Sequence, residues 1–320
     1  MSEADFKSRA EGPALTPRQW RQLATITIAA LALYLTLRWL PTGTNLSHMD
    51  FRVDAANSIE FCDPSNPQFI PVVAVASPVT LSLNALEARA EQEVRATAVL
   101  RTASGKPIAP EDLLVVHTER LHLLIADPSL TDYQHVHPTP GRTAGEWKFS
   151  FTPKASGLYR VFADFTPAAT NRGLYAYADL AVGAGKAGAG GGGAEPAGGR
   201  APNETVEREG YRFSLQPAVQ PIRAKQPADL RFTVVRLDGR EVPLQPVMDA
   251  FAHLVAFDQS RKGFAHLHPM QLDLAKRPDR IQPVLDFKIT IPQAGRYVIW
   301  AQVNLGGRET FVPFWFDVAE

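Results

Sequence analysis

Cysteine is almost missing from this chain. Cys62 is the only one among 320 residues. No disulfide can form within the chain, and neither a zinc finger nor a Cys-x-x-Cys redox motif is available. An excess of charge of one sign is missing too, since 33 Lys and Arg balance 33 Asp and Glu. Phosphate binding wants a basic surface, so nucleic acid is not expected as a partner. No Gly-x-Ser-x-Gly, P-loop or paired-carboxylate pattern is present, so catalysis is not expected. Histidine is scarce, with eight residues, and where those few stand becomes the main question.

Long hydrophobic runs are also scarce, with one exception. After a polar start carrying Lys7, Arg9, Arg18 and Arg21, an apolar stretch of 15 residues runs from Leu23 to Leu37. It reaches Leu40 if Arg38 snorkels to the interface, and Trp39 suits a membrane–water boundary. The basic residues ahead of it predict a cytoplasmic N-terminus and an extracytoplasmic remainder. A cleaved signal peptide is the alternative, but no small-x-small site follows Leu40 and no lipoprotein cysteine is present. The segments expected are a cytoplasmic piece over 1–22, a membrane anchor over 23–41 and an irregular linker over 42–77. Cys62 falls in that linker, in Phe61-Cys-Asp-Pro64, and reads as an inert thiol.

The remainder is strand-like. Alternating segments such as Val94–Leu100, Glu146–Phe151, Gly157–Phe165 and Leu174–Val182, with turn signals between them, predict about seven short strands over 78–182. That is the pattern of an antiparallel Greek-key sandwich of immunoglobulin type. Gly183 to Asn203 is too rich in glycine to pack and reads as a flexible linker over 183–203. A second sandwich is expected over 204–320, because the first unit recurs there. Arg223-Ala-Lys-Gln226 echoes Arg89-Ala-Glu-Gln92, and Gly295-Arg-Tyr297 through Gln302 echoes Gly157-Leu-Tyr159 through Asp164. The offset between copies is 134 at the glutamines, 131 at the histidines and 138 at the glycines. Insertions in loops account for that drift in a duplicated domain. Tyr159 and Tyr297 are expected to be tyrosine corners, tying a backbone loop before the strand.

The best-matched part of the repeat carries most of the histidine. Arg120-Leu-His-Leu-Leu-Ile-Ala-Asp127 leads into His135-Val-His-Pro138, and Phe251-Ala-His-Leu-Val-Ala-Phe-Asp258 leads into His266-Leu-His-Pro269. Both copies keep 13 positions between the first and second histidine, and six of the eight histidines lie in these triads. Residues two apart in a strand share a face, so His135 and His137 point the same way. A hairpin turning near Leu130 puts His122 opposite or diagonal to them, with Cβ atoms roughly 5–7 Å apart. Three imidazoles that close can converge on one cation at about 2 Å. His122, His135 and His137 are therefore one candidate metal site, and His253, His266 and His268 the other. Asp127 and Asp258 either orient a ligand histidine or start the turn. Imidazole donors suit copper or zinc, and copper(II) is bound most tightly of the divalent ions. His117, which aligns with Met248, and Met270 after the second His-x-His-Pro add a slight thioether hint towards copper(I). The competing explanation is structural, with histidines that only hydrogen-bond within the hairpin.

With His-x12-His-x-His-Pro followed by Gly-x-Tyr, each unit resembles the immunoglobulin-like modules of bacterial envelope proteins in the YtkA-like and CopC-like group. The resemblance spans roughly 105 residues in each half. CopC-like members are periplasmic copper-resistance proteins, so the resemblance implies an envelope location and a copper site. The amino-terminal copper ligand of that group has no counterpart here. The expectation is a single-pass, extracytoplasmic protein that handles a transition metal, copper first, with its protein partner unknown. The alternative is a non-catalytic envelope scaffold or adhesion module.

Overall fold

The structure, a computed structural model, describes residues 15–39, 46–52, 67–185 and 200–320. Residues 1–14, the side chains of Arg38 and Trp39, Leu40, Pro41, Cys62 with its neighbours, and residues 186–199 of the glycine-rich linker lie outside the described residues.

Helix α1 (Pro17–Trp39) contains 23 residues. At 1.5 Å per residue it is about 34 Å long, enough to cross a hydrocarbon layer of ~30 Å. It starts inside the stretch 1–22, ahead of the apolar run. Thr16 explains the earlier start. The Thr16 backbone N–H donates to Gln19 Oε1 at 2.8 Å, and the Gln19 N–H faces Thr16 Oγ1 at 3.4 Å. This is a capping box with proline at the first helical position, where a missing N–H costs nothing. Two hydroxyls in the apolar part are satisfied internally. Thr25 donates to the Arg21 carbonyl at 2.9 Å, and Thr36 to the Ala32 carbonyl at 2.8 Å. Residues from Leu46 to Glu320 form a separate compact unit, described from here on.

The first sandwich holds β1 (Val79–Ala85), β2 (Val94–Thr102), β3 (Leu121–Ala126), β4 (Tyr133–Val136), β5 (Thr139–Pro140), β6 (Glu146–Phe151), β7 (Gly157–Phe165) and β8 (Leu174–Val182). Its sheets run β1-β2-β6-β5 and β4-β3-β7-β8. That is the immunoglobulin arrangement, in which the first, second, fifth and sixth strands face the other four. The second sandwich holds β9 (Thr205–Arg208), β10 (Tyr211–Pro217), β11 (Ile222–Arg223), β12 (Pro227–Arg236), β13 (Leu244–Gln245), β14 (His253–Asp258), β15 (Phe264–Leu267), β16 (Val284–Thr290), β17 (Gly295–Leu305) and β18 (Arg308–Ala319). Sheet β16-β12-β10-β9 faces sheet β11-β18-β17-β14-β15, with β13 beside β17 and β11 parallel to β18. The duplication is therefore structural, with a different edge in each copy.

Each copy buries its own core. Leu100, Leu123, Ile125, Trp147 and Val161 lie in the first, and Phe213, Phe232, Leu254, Phe287 and Ile299 in the second. A third cluster joins the copies. It combines Leu124, Ala126, Tyr133 and Phe162 of the first with Val255, Phe257, Phe264, Val298 and Trp300 of the second. Successive residues of a strand point to opposite faces. Leu121, Leu123 and Ile125 thus face inward, while His122, Leu124 and Ala126 face the other domain. Both faces of this sheet are covered, and β3 is buried at every position.

The stretch 42–77 is only partly the irregular linker expected. Leu46 and Phe51 are buried in the first core, and Phe69 in the second. The Ile70 N–H donates to the Phe264 carbonyl at 2.8 Å, and the Phe264 N–H returns to the Ile70 carbonyl at 3.1 Å. The chain thus visits the second sandwich before it builds the first. A Cβ at Gly263 would stand 2.7 Å from the ring of Phe69 and closer still to the Ile70 carbonyl, so glycine is required there.

Candidate metal centre

The six triad histidines lie on strands, or just past them, that face the domain interface. His122 is the second residue of β3 and His253 the first of β14, each preceded by a tight two-residue turn. The two central residues of each turn are left-handed, with φ of 51° and 70° at His117 and Thr118, and 49° and 60° at Met248 and Asp249. Each turn supplies a carbonyl to the ring behind it. His122 Nε2 lies 3.0 Å from the Val116 carbonyl, and His253 Nε2 lies 3.0 Å from the Val247 carbonyl. A carbonyl only accepts, so Nε2 carries the proton in both rings and Nδ1 keeps its lone pair.

The second histidine of each triad is oriented from across the interface. His135 Nδ1 lies 2.9 Å from Gln302 Oε1, and His266 Nδ1 lies 3.0 Å from Asp164 Oδ2. The Gln302 amide is itself oriented, because its Nε2 donates to Glu309 Oε2 at 2.7 Å. Both histidines are therefore protonated on Nδ1, which leaves Nε2 as the bare atom.

In the first triad the bare atoms, His122 Nδ1 and His135 Nε2, approach to 3.1 Å. Neither has a proton to give, so two lone pairs face each other. In the second triad His253 Nδ1, His266 Nε2 and His268 Nε2 are buried without a partner, and His137 Nε2 of the first is in the same position. One ring nitrogen from each histidine of a triad lies within 4.8 Å of those of the other two.

Burial decides the charge state. The His135, His266 and His268 rings are held well below the ordinary imidazole range, first by loss of water and then by neighbouring imidazoles. His253 is pushed down to about 3, again mainly by burial. Burial also lowers His117, His122 and His137. Asp164 is raised by burial, partly offset by His122 and His117. With neutral rings, the contact between His266 and Asp164 is a hydrogen bond to a carboxylate, and the lone pairs are free for a ligand.

Sequence reasoning read each triad as a candidate site of its own. The structure brings the triads together at a buried interface. The rings of His135 and His266 are 5.3 Å apart and those of His122 and His266 are 5.7 Å apart, close to the 4.8–5.5 Å between neighbours within a triad. His117 joins them, stacked on His268 at 3.7 Å with an interplanar angle of 23°. Seven of the eight histidines thus share one place. Asp127 and Asp258 take the turn-starting role. The former accepts the N–H groups of Ser129, Thr131 and Asp132, and the latter those of Ser260, Lys262 and Gly263. The orienting carboxylate is Asp164, which sequence reasoning did not single out. The thioether hint finds no support at Met270, whose side chain is exposed.

Fold and site together define a class: tandem immunoglobulin-like sandwiches joined through an interface rich in histidine. The chain belongs to the family described as a domain of unknown function, DUF8832, which matches residues 74–178 and again residues 204–320. That double match reproduces the duplication. The likeness to YtkA-like and CopC-like modules stays a resemblance of the His-x-His-Pro segment. No curated protein shows a match to this chain. Among solved structures it is similar to FdeC, an Escherichia coli adhesin, at 15% identity and a TM-score of 0.25, covering 76% of this chain and 63% of that one. It is similar to a protein described as membrane-anchored from Corynebacterium diphtheriae, at 10% identity and a TM-score of 0.22, covering 77% and 59%. It is also similar to a Salmonella alpha-2-macroglobulin, at 12% identity and a TM-score of 0.24, covering 76% and 15%. This chain thus spans less than two thirds of each of those structures, and scores this low carry no functional argument.

Proposed function

We propose that this protein is a membrane-anchored, extracytoplasmic binder of transition-metal ions, copper(II) first, and that it performs no catalysis. The observation that carries the reading is the set of six bare ring nitrogens, two from Nδ1 and four from Nε2, repeated in the same order in both triads. Buried polar atoms without partners are costly, and repeating that cost in both copies calls for a ligand. All-imidazole donor sets suit copper and zinc, and copper(II) outcompetes the other divalent ions at equal availability. Helix α1, with Arg18 and Arg21 at its start, supports an anchor with its N-terminus in the cytoplasm.

Titration of the detergent-solubilised full chain with copper(II) and zinc(II), followed by metal analysis after desalting, tests the reading. The expected result is retained copper at micromolar free metal and a rise in melting temperature that grows with copper concentration. His135→Ala should abolish most of that rise. A chain that retains neither ion, with a melt indifferent to both, overturns the proposal.

A further inference from the structure

We infer that the two triads form one binuclear centre built across the domain interface, and that the position held by His253, His266 and His268 fills first because the first domain lends it a carboxylate. The inference rests on the metal reading above and goes beyond it in stoichiometry, order and the origin of the order.

Two ions follow from donor count and spacing. Six imidazoles exceed the four-coordinate shell of zinc, or three histidines plus an open position. Each triad supplies a complete set of three, within 4.8 Å of one another. The sets share a wall, since the His266 ring is 5.7 Å from His122 and 5.3 Å from His135. Two ions seated there would be close neighbours.

The order follows from where the copies differ. Asp164 pairs in register with His122, yet its carboxylate bonds His266 of the other domain. Gln302 pairs in register with His253, yet its amide bonds His135 of the first domain. The two positions are equivalent in the repeat, but one orienter is an anion and the other is neutral. A carboxylate behind a ligand histidine makes the ring a better donor and offsets the charge of the ion. Among the described residues Asp164 has no Lys or Arg partner and only the neutral His266 ring beside its carboxylate, so a divalent ion is its natural counter-charge. His117, also from the first domain, covers His268 of the same position. Once one ion is bound, repulsion weakens the second.

The test is copper(II) titration of the detergent-solubilised full chain, read by calorimetry and by electron paramagnetic resonance. The inference expects two ions per chain in two resolved steps. At one equivalent the spectrum shows an isolated copper(II) signal. At two equivalents that signal broadens or is lost through coupling. Asp164→Asn should weaken the first step about 10- to 100-fold and leave the second nearly unchanged. If that variant does not fold, His268→Ala removes a donor from the same position and keeps the His266–Asp164 bond. One copper should then remain, bound more weakly than the first ion of the wild type and no more weakly than the second. Two ions with equal affinities and uncoupled signals, or a single ion per chain, overturn the binuclear inference and leave metal binding standing. No bound copper overturns both.

Discussion

Asp164 and Gln302 are the same position of the repeat, and each orients the second histidine of the opposite domain. Asp164 Oδ2 accepts from His266 Nδ1 at 3.0 Å, and Gln302 Oε1 from His135 Nδ1 at 2.9 Å. The exchange makes the histidines part of the domain joint even without metal. Gln302→Leu should cost about 1–3 kcal/mol, because the buried His135 N–H is left without an acceptor. Replacing both partners removes the unsatisfied group, so Gln302→Leu with His135→Phe should recover part of that loss. Urea denaturation of the apo protein measures both. Additive losses would show that the hydrogen bond does not stabilise the interface.

The tyrosine corners differ in what they hold. Tyr297 donates to the Gln293 carbonyl at 3.0 Å. Tyr159 donates to Asp132 Oδ2 at 2.8 Å and accepts from the Ala155 N–H at 3.2 Å. Asp132 is buried and also accepts the Lys154 N–H at 2.8 Å. Hydrogen bonds to charged groups are worth about 1.5–3 kcal/mol against ~1 for neutral ones. Tyr159→Phe should therefore destabilise by about 2 kcal/mol and Tyr297→Phe by ~1. Chemical denaturation of the two variants checks the order, and a larger loss at Tyr297 would contradict it.

Much of this architecture was legible from residues alone. Alternation gave the strands, Gly-x-Tyr gave the corners, and the constant 13-residue spacing placed three rings on one hairpin face. The meeting of the triads was harder to read, because it depends on the outer faces of two sheets docking. A signal was present in β3 and β14, which are apolar on both faces: Leu123 and Ile125 alternate with Leu124 and Ala126, as Leu254 and Ala256 do with Val255 and Phe257. Such a run means burial from both sides. Asp164 and Gln302 stayed hidden because a carboxylate and an amide share only the ability to accept. The turn at His117 stayed hidden because it reaches positive φ without glycine.

The docked sheets make the domains mechanically dependent. Phe162 of β7 and Phe257 of β14 stack across the interface, with centroids 5.9 Å apart at 27°, and both are fully buried. Phe162→Ala or Phe257→Ala should each cost about 3–5 kcal/mol. The double variant should cost less than the sum by about 0.5–1.5 kcal/mol. One cooperative transition is expected for the wild-type compact unit, separating into two in the double variant. Two independent transitions in the wild type, with neither phenylalanine affecting the other domain's melt, would mean the sheets do not stabilise each other.

Acid should open the same interface. His253 titrates near 3 in the fold against an ordinary 6.5, and His135, His266 and His268 are also held well below that value. A depressed folded value means that the unfolded chain binds protons more readily. The stabilisation is fully present above pH ~6.5 and is lost progressively as pH falls towards 3. Asp164 and Asp258, both raised by desolvation, act in the opposite direction but are two groups against seven lowered imidazoles. The apo protein should lose stability steeply between pH 6.5 and 4, earlier than carboxylate titration alone would bring. Removing one titrating ring isolates the cause. His268→Gln, at the half-buried rim, should flatten the pH dependence by roughly one proton per unfolding event. Denaturant midpoints measured at half-unit pH intervals give that slope directly, and a profile unchanged by the substitution would assign the acid loss to the carboxylates instead.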